Sequence, residues 1–243
     1  MHTKKFKYLL LMGLPFAATT FAIQAHAQQN SDSPTEVLVT ATHLERRPED
    51  IAGTVTVISD EQIRDMVANN LADVVRYQPG LGMDTAARGG DEGFRIRGIG
   101  GNRVLTVIDG VRSSDMYAAG PASYGKDSFE VDDLKAVEVI RGPASVLYGA
   151  DALGGVVVLR TRDASDYLGS EDPLYTAIRA SSASVNSQSR IGATIAGQSE
   201  TLGSVLQLTR RKFSEQEVKG EGQLNPQDGE SQNVFWKTDW QAG

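Results

Sequence analysis

The chain contains no cysteine, so disulfide scaffolds and thiolate metal sites are excluded. Histidine is nearly as scarce. Of the three present, His2 and His26 fall in a segment read below as a cleaved leader. That leaves His43 alone for a Ser-His-Asp triad, a zinc enzyme or a histidine proton relay, and the sequence argues against all three. Positive charge is also short: 24 Lys and Arg stand against 31 Asp and Glu, a formal net charge of −7. Such an acidic chain is a poor candidate for binding nucleic acid. What is present suits folding, because 243 residues with 40% apolar content are enough for one or two ordinary domains.

Residues 1–27 have the three parts of a secretory signal. Lys4, Lys5 and Lys7 form a positive front, Tyr8 to Ile23 an apolar stretch, and Ala25-His26-Ala27 a small-x-small cleavage site. A membrane anchor is the competing reading, but Pro15 and Thr19-Thr20 interrupt the run before it reaches the roughly 20 apolar residues of a span. Cleavage removes three lysines and no acid, taking the formal charge from −7 to −10. Residues 28–52 then read as a flexible arm, polar except for one β-prone run, Glu36-Val37-Leu38-Val39-Thr40-Ala41. An isolated run of this kind is either an edge strand or a segment kept available for a partner's sheet edge.

Residues 53–163 read as a small α+β domain with a mixed sheet, short helices and Gly-rich loops. Strands are expected at Thr54–Ile58, Phe94–Ile99, Val104–Asp109, Ala136–Ile140 and Val156–Arg160. Ser59 or Asp60 can cap a helix through Ala68, Asn70 can cap another over Leu71–Tyr77, and Pro143 can start a short one through Leu147. Fifteen of the 25 glycines lie between Gly80 and Gly155, which predicts many tight turns. From residue 164 onward, Tyr175–Val185, Ile191–Gln198, Leu202–Lys212 and Asn233–Trp240 alternate weakly over about ten residues, the signature of transmembrane β-barrel strands. A soluble β-sandwich would read similarly.

Two enzyme signals fail. Gly89-Gly90-Asp91-Glu92-Gly93-Phe94 resembles the Gly-Gly-Asp-Glu-Phe signature of diguanylate cyclases, but Gly93 is inserted. Gly98-Ile99-Gly100-Gly101-Asn102-Arg103 begins like a dinucleotide loop, yet Arg103 replaces the third glycine and a strand follows where a helix should.

The informative stretches are Phe94-Arg95-Ile96-Arg97-Gly98, Val107-Ile108-Asp109-Gly110-Val111-Arg112, and Val137 through Gly149, which contains Arg141-Gly142-Pro143. With Ala152-Leu153-Gly154-Gly155-Val156-Val157 they resemble the plug domain of TonB-dependent outer-membrane receptors, in order from Glu36 to Asp163. The resemblance implies an α+β plug followed by the first antiparallel strands of an incomplete transmembrane β-barrel. It implies that Glu36 to Ala41 is the TonB box, which docks on TonB and its inner-membrane energising complex. It further implies that Arg97 and Arg141 face the barrel wall and lock the plug against acidic residues there. Glu138, on the same strand as Arg141, is a candidate member of that network. No catalytic residue, resident cofactor or protein-bound metal is implied, and the location is the lipid of the outer membrane after export.

Asn102-Arg103-Val104-Leu105 and Ala152-Leu153-Gly154-Gly155 look most like the haem and haemoglobin branch, with siderophore and cobalamin receptors as near competitors. Haem, a haemoprotein or a ferric chelate would then be cargo. Tyr117 and Tyr124, in a Gly-rich loop, are candidate phenolate contacts, with ordinary loop tyrosines as the plainer reading. A stand-alone periplasmic module that binds TonB is the alternative from another class, and a periplasmic nucleotide enzyme a third. The roughly 80 residues beyond the plug hold about four strands, whereas the smallest single-chain barrels close with eight. The expected chain is therefore a fragment, a complete plug with an unfinished barrel.

Overall fold

In the computed structural model the described residues are 54–85, 91–113, 117–119, 122–124, 130–169, 172–214 and 228–240, all within one unit, Val37–Gly243. The leader, the arm and the Glu36–Ala41 run lie outside them.

The first strand, β1 (Thr54–Ser59), runs straight into α1 (Asp60–Asp65). Ser59 and Gln62 make the junction: the Gln62 N–H donates to Ser59 Oγ at 3.3 Å and the Ser59 N–H to Gln62 Oε1 at 3.1 Å. α1 ends three residues before the expected Ala68, because Asn70 must be extended to cap α2 (Leu71–Val75) and the chain turns through Val67 at φ 49°. Asn70 Oδ1 accepts the Asp73 N–H at 2.8 Å. β2 (Leu81–Thr85) and β3 (Asp91–Ile96) form a separate hairpin. β3 stops at Ile96 instead of Ile99, since Arg97 and Gly98 adopt φ 50° and 84° and Ile96 and Ile99 exchange backbone hydrogen bonds across that turn.

β4 (Val104–Ile108) and β5 (Val111–Arg112) are joined by Asp109-Gly110, again with both residues at positive φ. The Asp-Gly pair is a hairpin signal that announces β5. β6 (Tyr117–Ala119) and β7 (Ala122–Tyr124) make a short hairpin. β8 (Leu134–Arg141), α3 (Ser145–Tyr148) and β9 (Gly155–Thr161) complete the domain. The five-stranded sheet has the order β1-β8-β9-β4-β5, antiparallel except for β4 beside β9. Both faces of its centre are covered, which is why β8 and β9 read as near-continuous apolar runs. Val137, Val139, Val157 and Leu159 pack with Ile58, Ile63, Leu71, Val74, Phe94 and Ile96. Leu105, Val107, Ile140, Val156 and Val158 pack on the other face with Ala144 and Ala152. Each fully buried Val or Leu contributes about 1.5–3 kcal/mol, so the centre of the sheet carries the domain.

The second sheet is β10 (Leu174–Ala183), β11 (Gln188–Gln198), β12 (Leu202–Ser214) and β13 (Asp228–Trp240), paired consecutively and antiparallel. Register places Ile178, Ala193, Leu208 and Val234 in one row and Thr176, Ile195, Leu206 and Trp236 in the next, all on the exposed face. The opposite face carries Gln188, Arg190, Thr194, Gln207, Thr209, Arg211, Asn233 and Lys237. Polar residues thus line the side that meets the first domain, and apolar ones the side left exposed among the described residues.

Candidate functional site

The polar face of the second sheet is joined to the first domain by charge. A turn at Glu130–Asp133, just before β8, presents three acids. Arg190 of β11 is 7% exposed and Glu130 2%. Arg190 Nη2 reaches Asp132 Oδ2 at 3.2 Å, its Nη1 lies 3.5 Å from Glu130 Oε2, and its Nε donates to Ser181 Oγ at 3.2 Å. Arg179 of β10 pairs with Asp132 at 3.1 Å, and Arg211 of β12 approaches Glu130 Oε1 at 3.9 Å. Burial raises the Glu130 carboxyl above its ordinary range, a shift that Arg211 and Arg190 partly offset. Burial, reinforced by Glu130 and Asp132, pushes Asp133 up to about 7.

A second contact forms at the Asp109-Gly110 turn. Asp109 Oδ1 accepts the Thr161 N–H at 2.9 Å, capping the end of β9. Lys237 of β13 lies 2.7 Å from Asp163 Oδ1 and 3.4 Å from Asp109 Oδ2, and donates to Thr161 Oγ1 at 3.0 Å. Beside it opens a cavity of about 410 Å³ lined by Val107, Tyr148, Val158 and Arg160 as well as these groups. Between the two contacts, Arg162 anchors the connection to β10. It pairs with Asp60 at 3.2 Å, donates to the Leu134 carbonyl at 3.0 Å, and stacks over Tyr167, whose hydroxyl accepts from Gln207 Nε2.

The residues singled out from sequence are only partly brought together. Arg97 and Arg141 are neighbours: burial first, and then the Arg97 charge, lower the Arg141 pKa. Arg141 donates to Thr56 Oγ1 on β1 and to the Pro79 carbonyl at 3.4 Å. Neither arginine has an ion pair among the described residues. Glu138 sits elsewhere. It is three residues from Arg141 on β8, so the two point to opposite faces, and Glu138 is 0% exposed with Arg160 Nη1 at 3.5 Å. Tyr117 and Tyr124 occupy directly opposed positions of β6 and β7. Sequence reasoning missed the acidic turn and its arginine partners. The available signals were the Glu130-Val131-Asp132-Asp133 cluster ahead of a strand and the position of Arg190 and Arg211 on the polar parity of β11 and β12.

A profile of the TonB-dependent Receptor Plug Domain matches residues 47–156. The Hemoglobin-haptoglobin utilization protein B of Neisseria meningitidis serogroup C is 30% identical over 227 residues, which span 83% of this chain and 27% of that protein. The Hemin receptor of Yersinia pestis is 31% identical over 228 residues, 93% of this chain and 32% of the relative. Among solved structures, a double mutant of the Serratia marcescens hemophore receptor HasR, in complex with its hemophore HasA and heme, aligns with a TM-score of 0.58 at 25% identity. That alignment covers 68% of this chain and 25% of HasR. The chain therefore spans about a quarter to a third of the length of these proteins.

Proposed function

Starting from the TonB-dependent receptor family, to which this chain belongs, we propose that it serves an outer-membrane receptor that takes up haem or another iron complex. Residues 53–163 act as its plug and residues 164–243 as strands of the wall. The observation that carries this is the two-sided second sheet. Its inner face holds the plug through Arg190, Arg211 and Lys237, and its outer face is a band of Ile, Leu, Val and Trp suited to lipid. The cargo assignment draws on the haemoglobin and hemin receptors among the relatives, with siderophores and cobalamin as the competing cargoes.

Coupling to TonB would run through Glu36 to Ala41, which can add as a strand to a partner's sheet edge by main-chain hydrogen bonds. Among the described residues, traction on this segment first reaches β1, an edge strand paired there with β8. Its ladder bonds net roughly 0.5–1.5 kcal/mol each, and the Arg141 bond to Thr56 staples it. Arg97 and Arg141 would meet acidic residues of the wall, while Glu138 stays with Arg160 inside the plug. Haem is cargo in this scheme, and no resident cofactor takes part.

Deleting Glu36–Ala41 is expected to abolish haem uptake by cells while leaving haem binding at their surface intact. Uptake that survives the deletion overturns the proposal, and growth on haem, a ferric siderophore or cobalamin separates the cargoes. A plug that is soluble by itself and recovers TonB in a pull-down would favour the stand-alone module. The lipid-facing reading has its own test. Leu208→Arg, in the centre of the outer band, should lower stability in lipid vesicles by about 2 kcal/mol, seen as a lower urea midpoint. An unchanged midpoint would place that face outside lipid.

A further inference from the structure

Arg190 and Arg211 are directly opposed in the β11–β12 register. Like charges in that position repel, and a strand pair that contains them is unfavourable unless an anion lies between them. Here the anion comes from the other domain: Glu130 places Oε2 at 3.5 Å from Arg190 Nη1 and Oε1 at 3.9 Å from Arg211 Nη2. The fit is loose. Neither Arg190 Nη1 nor Glu130 Oε2 has a hydrogen-bond partner among the described residues, although both side chains are more than nine-tenths buried. Arg190 is otherwise held by Asp132 and Ser181, and Arg211 donates from Nε to Ser231 Oγ at 3.3 Å. Arg211 is thus held within the wall by Ser231, whereas Arg190 is shared between Ser181 of β10 and Asp132 of the turn that carries Glu130.

We propose that Arg190 and Arg211 form a carboxylate-binding socket on the inner face of the wall, occupied at rest by Glu130 and open to a carboxylate-bearing solute once the turn carrying Glu130 withdraws. The exchange rests on the reading of these domains as plug and wall. The chemistry of the socket does not: two guanidinium groups on adjacent strands present several N–H donors to one anion, and carboxylate is the group they now hold.

The test uses the purified full chain in detergent micelles, with arginine labelling by phenylglyoxal read by mass spectrometry and sodium acetate as the probe. Glu130→Ala removes the equivalent of one acetate. Arg190 should be protected in the parent chain and labelled several-fold faster in Glu130→Ala, as expected when a buried ion loses one of its two carboxylate partners and keeps the other, Asp132. Acetate should restore protection in a saturable way, and chloride at the same ionic strength should not. Glu130→Gln keeps the space filled without the charge, so labelling should rise and acetate should not reverse it. Equal effects of acetate and chloride on Glu130→Ala overturn the proposal. Should that variant not fold, unchanged Arg190 labelling in Glu130→Gln overturns it instead. Because no transport is measured, a negative result leaves the uptake reading to the Glu36–Ala41 deletion.

Discussion

Gly155→Ala should cost about 4 kcal/mol or more, a large part of the roughly 5–15 kcal/mol that holds an ordinary domain folded. Gly155 opens β9 opposite Arg141 at φ 140°, a conformation L side chains rarely adopt. A Cβ there would lie 2.2 Å from the Ile140 carbonyl oxygen and 2.8 Å from Ile96 Cδ1. The first of these is backbone of the paired strand and cannot swing aside, so the β8–β9 ladder must open at the end where Arg141 staples β1. Overpacking of roughly 1–3 kcal/mol adds to backbone strain of about 1–2 kcal/mol and to the lost ladder bonds. Gly149 is the control. It also has positive φ, at 87°, but a Cβ there meets nothing within 4 Å among the described residues, so Gly149→Ala should cost only about 1–2 kcal/mol. Urea denaturation of the two variants in detergent, followed by circular dichroism, separates them; equal midpoints would show that the close approach to Ile140 is not what holds Gly155.

Much of this fold is legible in the sequence because its signals are local. Ser59 with Gln62 and Asn70 with Asp73 mark helix starts by side chains three residues apart. β8 and β9 announce themselves as apolar runs, and the four wall strands by alternation, with ends a few residues from those expected. Two elements escaped: β2 is interrupted by Gly82 and Asp84 where an apolar run would have marked it, and β5 has only two residues. The seam escaped for a different reason. Whether Glu130 meets Arg190, or Asp109 meets Lys237, depends on how one sheet is laid against another, and no periodicity encodes that. The Arg97–Arg141 neighbourhood was reachable only through family resemblance, and the placement of Glu138 near them failed on strand parity, a rule the sequence itself contains.

The polarity of the seam follows from the same geometry. The described wall strands offer Arg179, Arg190, Arg211 and Lys237, and the plug and its connection offer Glu130, Asp132, Asp109 and Asp163. The expected lock runs the other way, from plug arginines to wall acids. The two can coexist because they engage different ends of the plug sheet: Arg141 ends β8 beside the start of β9, whereas Asp109 and Thr161 lie at the end of β9. With the proposed lock in place, the plug would be held at both ends by charges of opposite sense.

Stability of the chain should fall as pH rises from about 4 to about 7, and Asp133→Asn should remove most of that slope. Asp133 is 1% exposed, its Oδ1 has no partner among the described residues, and its neighbours include Glu130 and Asp132. Burial first, then those two carboxylates, raise its pKa from 3.8 to about 7, while Arg190 and Arg162 pull the other way without prevailing. Between those values the folded chain holds a proton that the unfolded chain has released, so each added pH unit favours unfolding. Below about 4 both states are protonated and no penalty exists; above about 7 both are ionised and the penalty is complete. At 1.36 kcal/mol per pKa unit the full effect is about 4 kcal/mol, an upper figure for a carboxyl beside two arginines. Glu130, also raised, adds in the same direction. Asp133→Asn carries no ionisable proton and so incurs no such penalty. It should therefore gain about 2–4 kcal/mol over the parent at pH 8 and little at pH 4. Guanidinium midpoints of both chains across this range decide the matter, and a variant with the parent's slope would assign the pH dependence to another group. If the slope does follow Asp133, the acidic turn is held least firmly above about pH 7, once Asp133 is ionised.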